Sequence, residues 1–159
     1  MTGGNAHGDL DVREANKALA RRWFDEGWSR GELDVAELLF APEFLLGGEK
    51  VGPEGPKRSV RARRAAFAGL TVDVGLQVAE GPWVASWYTT RGTHVGEFAG
   101  VAPTGRVISS EGIQLWRVEN GLVVEDRNVF DVRRVLAQLL EPAGKTPGPA
   151  RLATDDSRG

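Results

Sequence analysis

Cysteine is absent from the 159 residues, which excludes disulfides, thiolate nucleophiles and cysteine-based metal sites. Histidine is scarce, and of the two only His94 lies away from the terminal segments. A metal shell would have to be mostly carboxylate, and no spacing in the sequence arranges one, so no metal is expected. No apolar run approaches the roughly 18 residues of a membrane span. Met1 to Gly8 is small and polar, without the hydrophobic stretch of a signal peptide, so a cytoplasmic chain with no membrane contact is expected. No phosphate-binding or dinucleotide glycine pattern follows a strand, which argues against a bound nucleotide cofactor. Charge of one sign is also lacking. A net charge of −2 gives no basic field for nucleic acid. Tyrosine occurs once, as Tyr88, against five Trp and six Phe, an apolar aromatic set suited to a core or a greasy pocket.

What is present suits one domain. Hydrophobic residues make up 41% and charged residues 26%, as in ordinary globular proteins. Residues 1–10 and 143–159 read as disordered tails, rich in Gly, Pro and polar residues, leaving 11–142 as the folded unit. Asp11 and Glu14 resemble a capping box, and Val12, Ala15, Leu19 and Trp23, widened by Ala20, Phe24 and Trp28, form the stripe of a first helix ending at Gly31. A second helix is expected over about 32–40 and a third over about 53–68, the latter turning Val60 and Phe67 to one side. From residue 71 the period becomes two, with Val72, Val74, Leu76 and Val78 on one face. Further strands are expected over about 83–95, 106–118 and 122–130, the last two joined by Asn120-Gly121, and a final helix after Asp131. Helices followed by a meander of long strands imply an α+β fold with a curved antiparallel sheet packed on three N-terminal helices. The third of these strands is apolar on both sides, Ile113 and Leu115 against Trp116 and Val118, which points to a homodimer through the sheet face turned away from the helices.

Gly92-Thr93-His94-Val95-Gly96-Glu97-Phe98, followed by Gly100-Val101-Ala102-Pro103-Thr104-Gly105-Arg106, resembles the GTHxGxFxGxxPTGR signature of SnoaL-like polyketide cyclases. Gly52-Pro53-Glu54-Gly55, Ala79-Glu80-Gly81 and Glu119-Asn120-Gly121 agree in order, and the resemblance covers about 12–140. It implies a cone-shaped α+β barrel of the nuclear-transport-factor-2-like kind and a cofactor-independent cyclase of secondary metabolism. It also implies that the Asp126/Asn128 face of the last strand enters the cone, because the family's aldol cyclases place their catalytic Asp where Asn128 stands. Those cyclases have a His near Gln114 and often one at Asp126, so this chain departs from them at all three positions.

The candidate catalytic residues are therefore Asp126, Gln114 and Asn128. An amide cannot take a proton near neutral pH, which leaves Asn128 as a hydrogen-bonding group. Asp126, the one carboxylate expected inside, should have a raised pKa and act as acid or base, or else be a structural aspartate. Tyr88, Trp116, Ser86 and Val124 are the candidate substrate-binding residues, with core packing as the alternative for Trp116 and Tyr88. His94 reads as part of a structural turn. Lys57, Arg58, Arg61, Arg63 and Arg64 read as a solvated helix face, with docking to an acidic carrier protein as the alternative. Segment 96–106 is expected to gate the mouth of the cone. The expected function is carbon–carbon ring closure in an apolar polyketide-derived intermediate, of a pericyclic, indane- or decalin-forming kind. The alternatives are a hydroxylase, isomerase or epoxide-opening enzyme on the same fold, or a non-catalytic binder of a hydrophobic metabolite.

Overall fold

The computed structural model describes residues 6–142. Residues 1–5 and the expected tail 143–159 lie outside the described residues. Helix α1 runs Ala6–Arg22, so it begins ahead of Asp11, which is therefore inside the helix rather than its cap. It continues as a π-helical turn, Trp23–Ser29, and the chain then reverses through Gly31. The buried face is Asn16, Ala20, Trp23, Phe24 and Gly27, while Val12 of the expected stripe is exposed. A π turn holds more residues per turn than an α-helix, so one strict 3–4 stripe cannot run through both. Gly27 is required by close approach: a Cβ there would lie 2.3 Å from Cε3 of the Trp23 indole.

A 3₁₀ turn, Leu33–Val35, leads into α2, Ala36–Leu39. Strand β1, Phe40–Leu46, and the two-residue β2, Glu49–Lys50, were not expected from the sequence. Phe40-Ala41-Pro42 reads as a helix end, because Pro is a poor strand residue. It is tolerated here because the ladder between β1 and its parallel neighbour is broken between Phe40 and Leu45. Helix α3 spans Glu54–Ala66. The long strands follow: β3, Phe67–Glu80; β4, Trp83–His94; β5, Val107–Glu119; and β6, Leu122–Phe130. Asn120 and Gly121 both have positive φ, 50° and 75°, the geometry a tight Asn-Gly hairpin needs. Helix α4, Val132–Leu140, starts at Asp131, whose carboxylate accepts the Arg134 amide at 2.9 Å.

The six strands form one open sheet in the order β2-β1-β6-β5-β4-β3. The β3–β6 meander is antiparallel, whereas β1 joins β6 in parallel, so the sheet is mixed rather than purely antiparallel. One face is covered by the helices. Its core holds Trp23, Phe40, Phe44, Val60, Trp116 and Val123, with a second cluster of Phe67, Leu70, Ile108, Val135 and Leu139 near α4. No helix among the described residues is long and apolar enough to cross a membrane.

One expected face is corrected. Val74 pairs with Tyr88 and Leu76 with Trp87, so Gly75 is an extra residue in β3. Beyond it the alternation inverts: Gln77 is buried, while Leu76 and Val78 face outward. The bulge thereby completes a row of exposed apolar side chains in register across four strands, Leu76, Trp87, Ile113 and Val129.

The close approach at Gly27 gives a test of opposite sign to helix propensity. Replacing a helical Gly by Ala normally stabilises by about 1 kcal/mol. Gly27→Ala should instead destabilise by about 1–3 kcal/mol, since Trp23 must move within a packed core. Denaturant unfolding that gave equal or higher stability would show that Trp23 is not packed in this way.

Candidate functional site

The concave face of the sheet and the helices above it enclose a cavity of about 370 Å³. Strands β3 to β6 supply its floor through Val72, Tyr88, Thr90, Gln114, Asp126, Asn128 and Phe130. The π turn supplies Trp23, Phe24 and Trp28, and α3 supplies Pro56, Ser59 and Arg63. The size and the mostly apolar, aromatic wall with a few convergent polar groups suit a small organic ligand.

Asp126 is the most unusual of these groups. Residue alternation along β6 turns it inward beside Asn128, and it is only 5% exposed. Gln114, diagonally across on β5, donates from Nε2 to Asp126 Oδ2 at 2.5 Å. Burial in an apolar site disfavours the charged form and pushes the carboxyl up to about 7, against an ordinary value of 3.8. The Gln114 bond and the nearby Trp116 indole N–H oppose that rise only in part. Trp116 Nε1 stands outside normal hydrogen-bond geometry. Like Asp126 Oδ1 and Gln114 Oε1, it is buried with no partner among the described residues. One carboxylate oxygen therefore has no hydrogen bond to the protein that would hold a charge on it.

Tyr88 donates from its hydroxyl to Asn128 Oδ1 at 3.0 Å. Burial pushes the phenol up, so it stays protonated and keeps its donor role. This bond fixes the Asn128 amide so that its NH₂ remains available to an acceptor. The place for the Tyr88 hydroxyl is made by Gly112, its register partner on β5, where a Cβ would lie 2.4 Å from Oη.

The structure therefore brings Asp126, Gln114, Asn128 and Tyr88 to one cavity. The other three expected residues do not line it. Trp116 faces Asp126 in register but is fully buried, parallel to Phe24 at 6.2 Å and edge-on to Phe40, so it backs the cavity wall. Ser86 is buried behind the floor, where its Oγ accepts from Gln77 Nε2 at 2.9 Å. Val124 leaves the wall because Arg117 pairs with Glu125 and Val118 with Val123, a shift that takes Val124 out of the alternation. Sequence periodicity carries no sign of that irregularity.

His94 is buried away from the cavity. Its Nδ1 accepts the Thr104 amide at 3.2 Å, and its ring packs on Phe67 at 5.4 Å. With the Val95 and Gly96 amides bonded to the Ala66 carbonyl, it ties the base of the 96–106 segment to the fold.

The basic run on α3 is dispersed. Lys57 is buried and bonded to Glu37, Arg61 pairs with Glu54, and Arg64 caps the preceding turn through the carbonyls of Trp28 and Ser29. Arg58 and Arg61 remain exposed on the outer side of the helix. Arg63, read from the sequence as solvated, enters the cavity wall. Burial lowers its pKa from the ordinary value. Only its place on α3, three residues after Val60, hinted at the inner face.

A family model described as SnoaL-like polyketide cyclase matches residues 18–139. The chain is 32% identical to the nogalonic acid methyl ester cyclase of Streptomyces nogalater, over 72% of this chain and 90% of that protein. It is 36% identical to the aklanonic acid methyl ester cyclase AcmA of Streptomyces galilaeus, over 83% of this chain and 96% of that one. In fold it is similar to TsrD from Streptomyces laurentii, with a TM-score of 0.74 at 22% identity, covering 80% of this chain and 96% of that one.

The Asp126 environment sets a pH dependence of stability. A carboxyl raised from 3.8 to about 7 binds more protons folded than unfolded in that interval. The group's contribution to stability therefore falls as pH rises from about 4 to about 7. Asp126→Asn removes the ionisation while keeping the shape. It should be close to wild type at pH 4 and more stable at pH 8, read as a gain in Tm that grows between the two. A difference independent of pH would show that the carboxyl is not desolvated.

Proposed function

Since the chain belongs to the SnoaL-like polyketide cyclase family, we propose that it closes a carbon–carbon ring in an apolar polyketide-derived intermediate, with Asp126 as the proton-transferring residue and no added cofactor. The observation that carries this is a cavity-facing carboxylate whose pKa lies at about 7, with one oxygen unpartnered. A base poised near the working pH combines a large ionised fraction with useful basicity.

In the proposed reaction Asp126 takes a proton from a carbon beside a carbonyl of the bound chain. The resulting enolate carbon attacks a second carbonyl, forming the ring bond, and the alkoxide recovers the proton from the Asp126 carboxylic acid. No atom is gained or lost, so no co-reactant is needed. The free Asn128 amide donates to the carbonyl that gains charge, with Tyr88 holding it in place. The aromatic wall of Trp23, Phe24, Trp28 and Phe130 folds the flexible chain so that its ends meet, removing part of the entropic barrier. That wall also supports a second reading, in which confinement alone promotes a pericyclic closure and Asp126 is structural.

The partner proposed for the outer sheet face is a second copy of the chain. The row Leu76, Trp87, Ile113 and Val129 is exposed and contiguous across four strands, an apolar patch of the kind that marks an interface. A row of apolar side chains of this kind can meet its own copy across a twofold axis.

With a polyketide precursor that the enzyme turns over, Asp126→Asn should lower kcat/KM by about 10²–10⁴-fold. The wild-type rate should rise with pH through about 7 as the carboxyl ionises, and chelators should leave it unchanged. His94→Gln, if folded by circular dichroism, should lose less. A near-wild-type Asp126→Asn enzyme, together with a sharp loss for Phe24→Ala, would instead select the confinement reading. In light scattering the wild type should be dimeric at micromolar concentration and Ile113→Lys monomeric. A monomeric wild type would remove the interface.

A further inference from the structure

Arg63 is the one cation of the cavity wall, and the fold gives it no anion. Its guanidinium makes no ion pair and no hydrogen bond among the described residues. It lies over two aromatic rings instead, 4.4 Å from the centre of Phe130 and 4.9 Å from that of Phe98. Ring faces attract a guanidinium but satisfy none of its five N–H donors. Of the neighbouring cations on α3, Lys57 and Arg61 have carboxylates and Arg64 has backbone carbonyls, while Arg58 is exposed to solvent on the outer side.

Asp126 does not serve as the counter-ion. The influences on its carboxyl are burial, Gln114 and Trp116, and those on Arg63 are burial and Tyr88. Tyr88 is the group within electrostatic reach of both. The cavity is therefore polar at two separate places, a carboxyl that takes a proton and a guanidinium that keeps its charge.

We propose that Arg63 is a substrate-recognition residue whose N–H fork, unpaired with any described protein group, binds an anionic oxygen of the substrate, a carboxylate or the enolate of a 1,3-dicarbonyl. The inference rests on the cyclase reading and narrows its substrate class to intermediates that carry such an oxygen. The geometry suits it. Contact with both the Phe98 and Phe130 rings restrains the guanidinium, so less side-chain freedom is lost when a planar two-oxygen group docks on its N–H edge. Phe98 belongs to the 96–106 segment and also packs on Phe67 at 5.1 Å, so the same arginine holds that segment against the mouth of the site. A bound anion adds hydrogen bonds to an assembly the rings already hold.

The test is direct binding to the intact protein, with probes in place of the unidentified substrate. Fluorescence titration compares 9-anthracenecarboxylate with its methyl ester, and 2-acetylindane-1,3-dione, an enolate at neutral pH, with its enol methyl ether. A hydrogen bond to a charged group is worth about 1.5–3 kcal/mol, or roughly 10- to 150-fold. At least one anion should therefore bind the wild type about tenfold or more tighter than its neutral partner. Which of the two does so names the source of the oxygen. Arg63→Gln should abolish that preference and leave neutral-probe affinity within about twofold. Arg63→Lys, which keeps the charge without the fork, should retain part of it. Should Arg63→Gln fail to fold, the wild-type ratio and the lysine variant decide alone. Equal binding of anion and neutral partner by the wild type overturns the proposal, as does a preference that survives in Arg63→Gln. Asp126→Asn should keep the anion preference while losing turnover, so a failure of the arginine's role is distinguishable from a failure of the cyclase mechanism.

Discussion

The desolvated carboxyl of Asp126 is the constraint around which the rest of the structure is arranged. Burying an ionised carboxylate without a counter-ion costs several kcal/mol, and a protein relieves that cost by pairing the charge or by letting the group hold its proton. Here the second route is taken. Gln114 supplies one hydrogen bond, Trp116 a weaker influence, and no cation is near enough to restore an ordinary pKa. The penalty must be offset elsewhere, and the packing shows where. Trp23, Phe40, Phe44 and Trp116 interlock directly behind the site, with ring centres 4.8–5.3 Å apart in edge-on contacts. Aromatic side chains bury the largest apolar areas and keep water away from the carboxyl at the same time.

The same restraint explains why the cavity's two charged residues are kept apart. Had Arg63 been paired with Asp126, each would have been stabilised, but the carboxyl would be ionised well below neutral pH and the guanidinium would have its charge neutralised and its two-donor edge occupied. Separation leaves both reactive. The intervening Tyr88–Asn128 pair transmits order without charge, and Gly112 leaves the Tyr88 hydroxyl the space to reach it. The fold family supplies the cone, while the particular placement of carboxyl, amide and guanidinium distinguishes what this cone can do.

Much of this was legible from the sequence where one local rule decides the outcome. Strand β6 and its hairpin followed from alternation and from Asn120-Gly121, and the inward Asp126/Asn128 face followed from the family resemblance. The misses have local causes of another kind. The outward turn of Leu76 and Val78 depends on one extra residue at Gly75, and the loss of Val124 from the wall on a similar slip in β6. A period-two pattern cannot reveal such a slip, because both registers alternate equally well. Strand β1 was hidden by Pro42, which is admitted only where the ladder happens to break. Arg63 was hidden by its neighbours: within a run of basic residues, charge alone does not say which side chain turns inward. Trp116 and Ser86 were placed on the correct face, but facing inward is not the same as lining the cavity.

The claim that most depends on measurement is the state of the Asp126 carboxyl itself. Carbon-13 labelling of aspartate side chains, with the Asp126→Asn protein to assign the resonance, allows the Cγ shift to be followed from pH 3 to pH 9 by NMR. Burial of the Asp126 carboxyl predicts a midpoint at about 7. A midpoint near the ordinary aspartate value of about 4 would mean that the carboxylate is hydrated or paired, and that proton transfer by Asp126 is not the basis of the site.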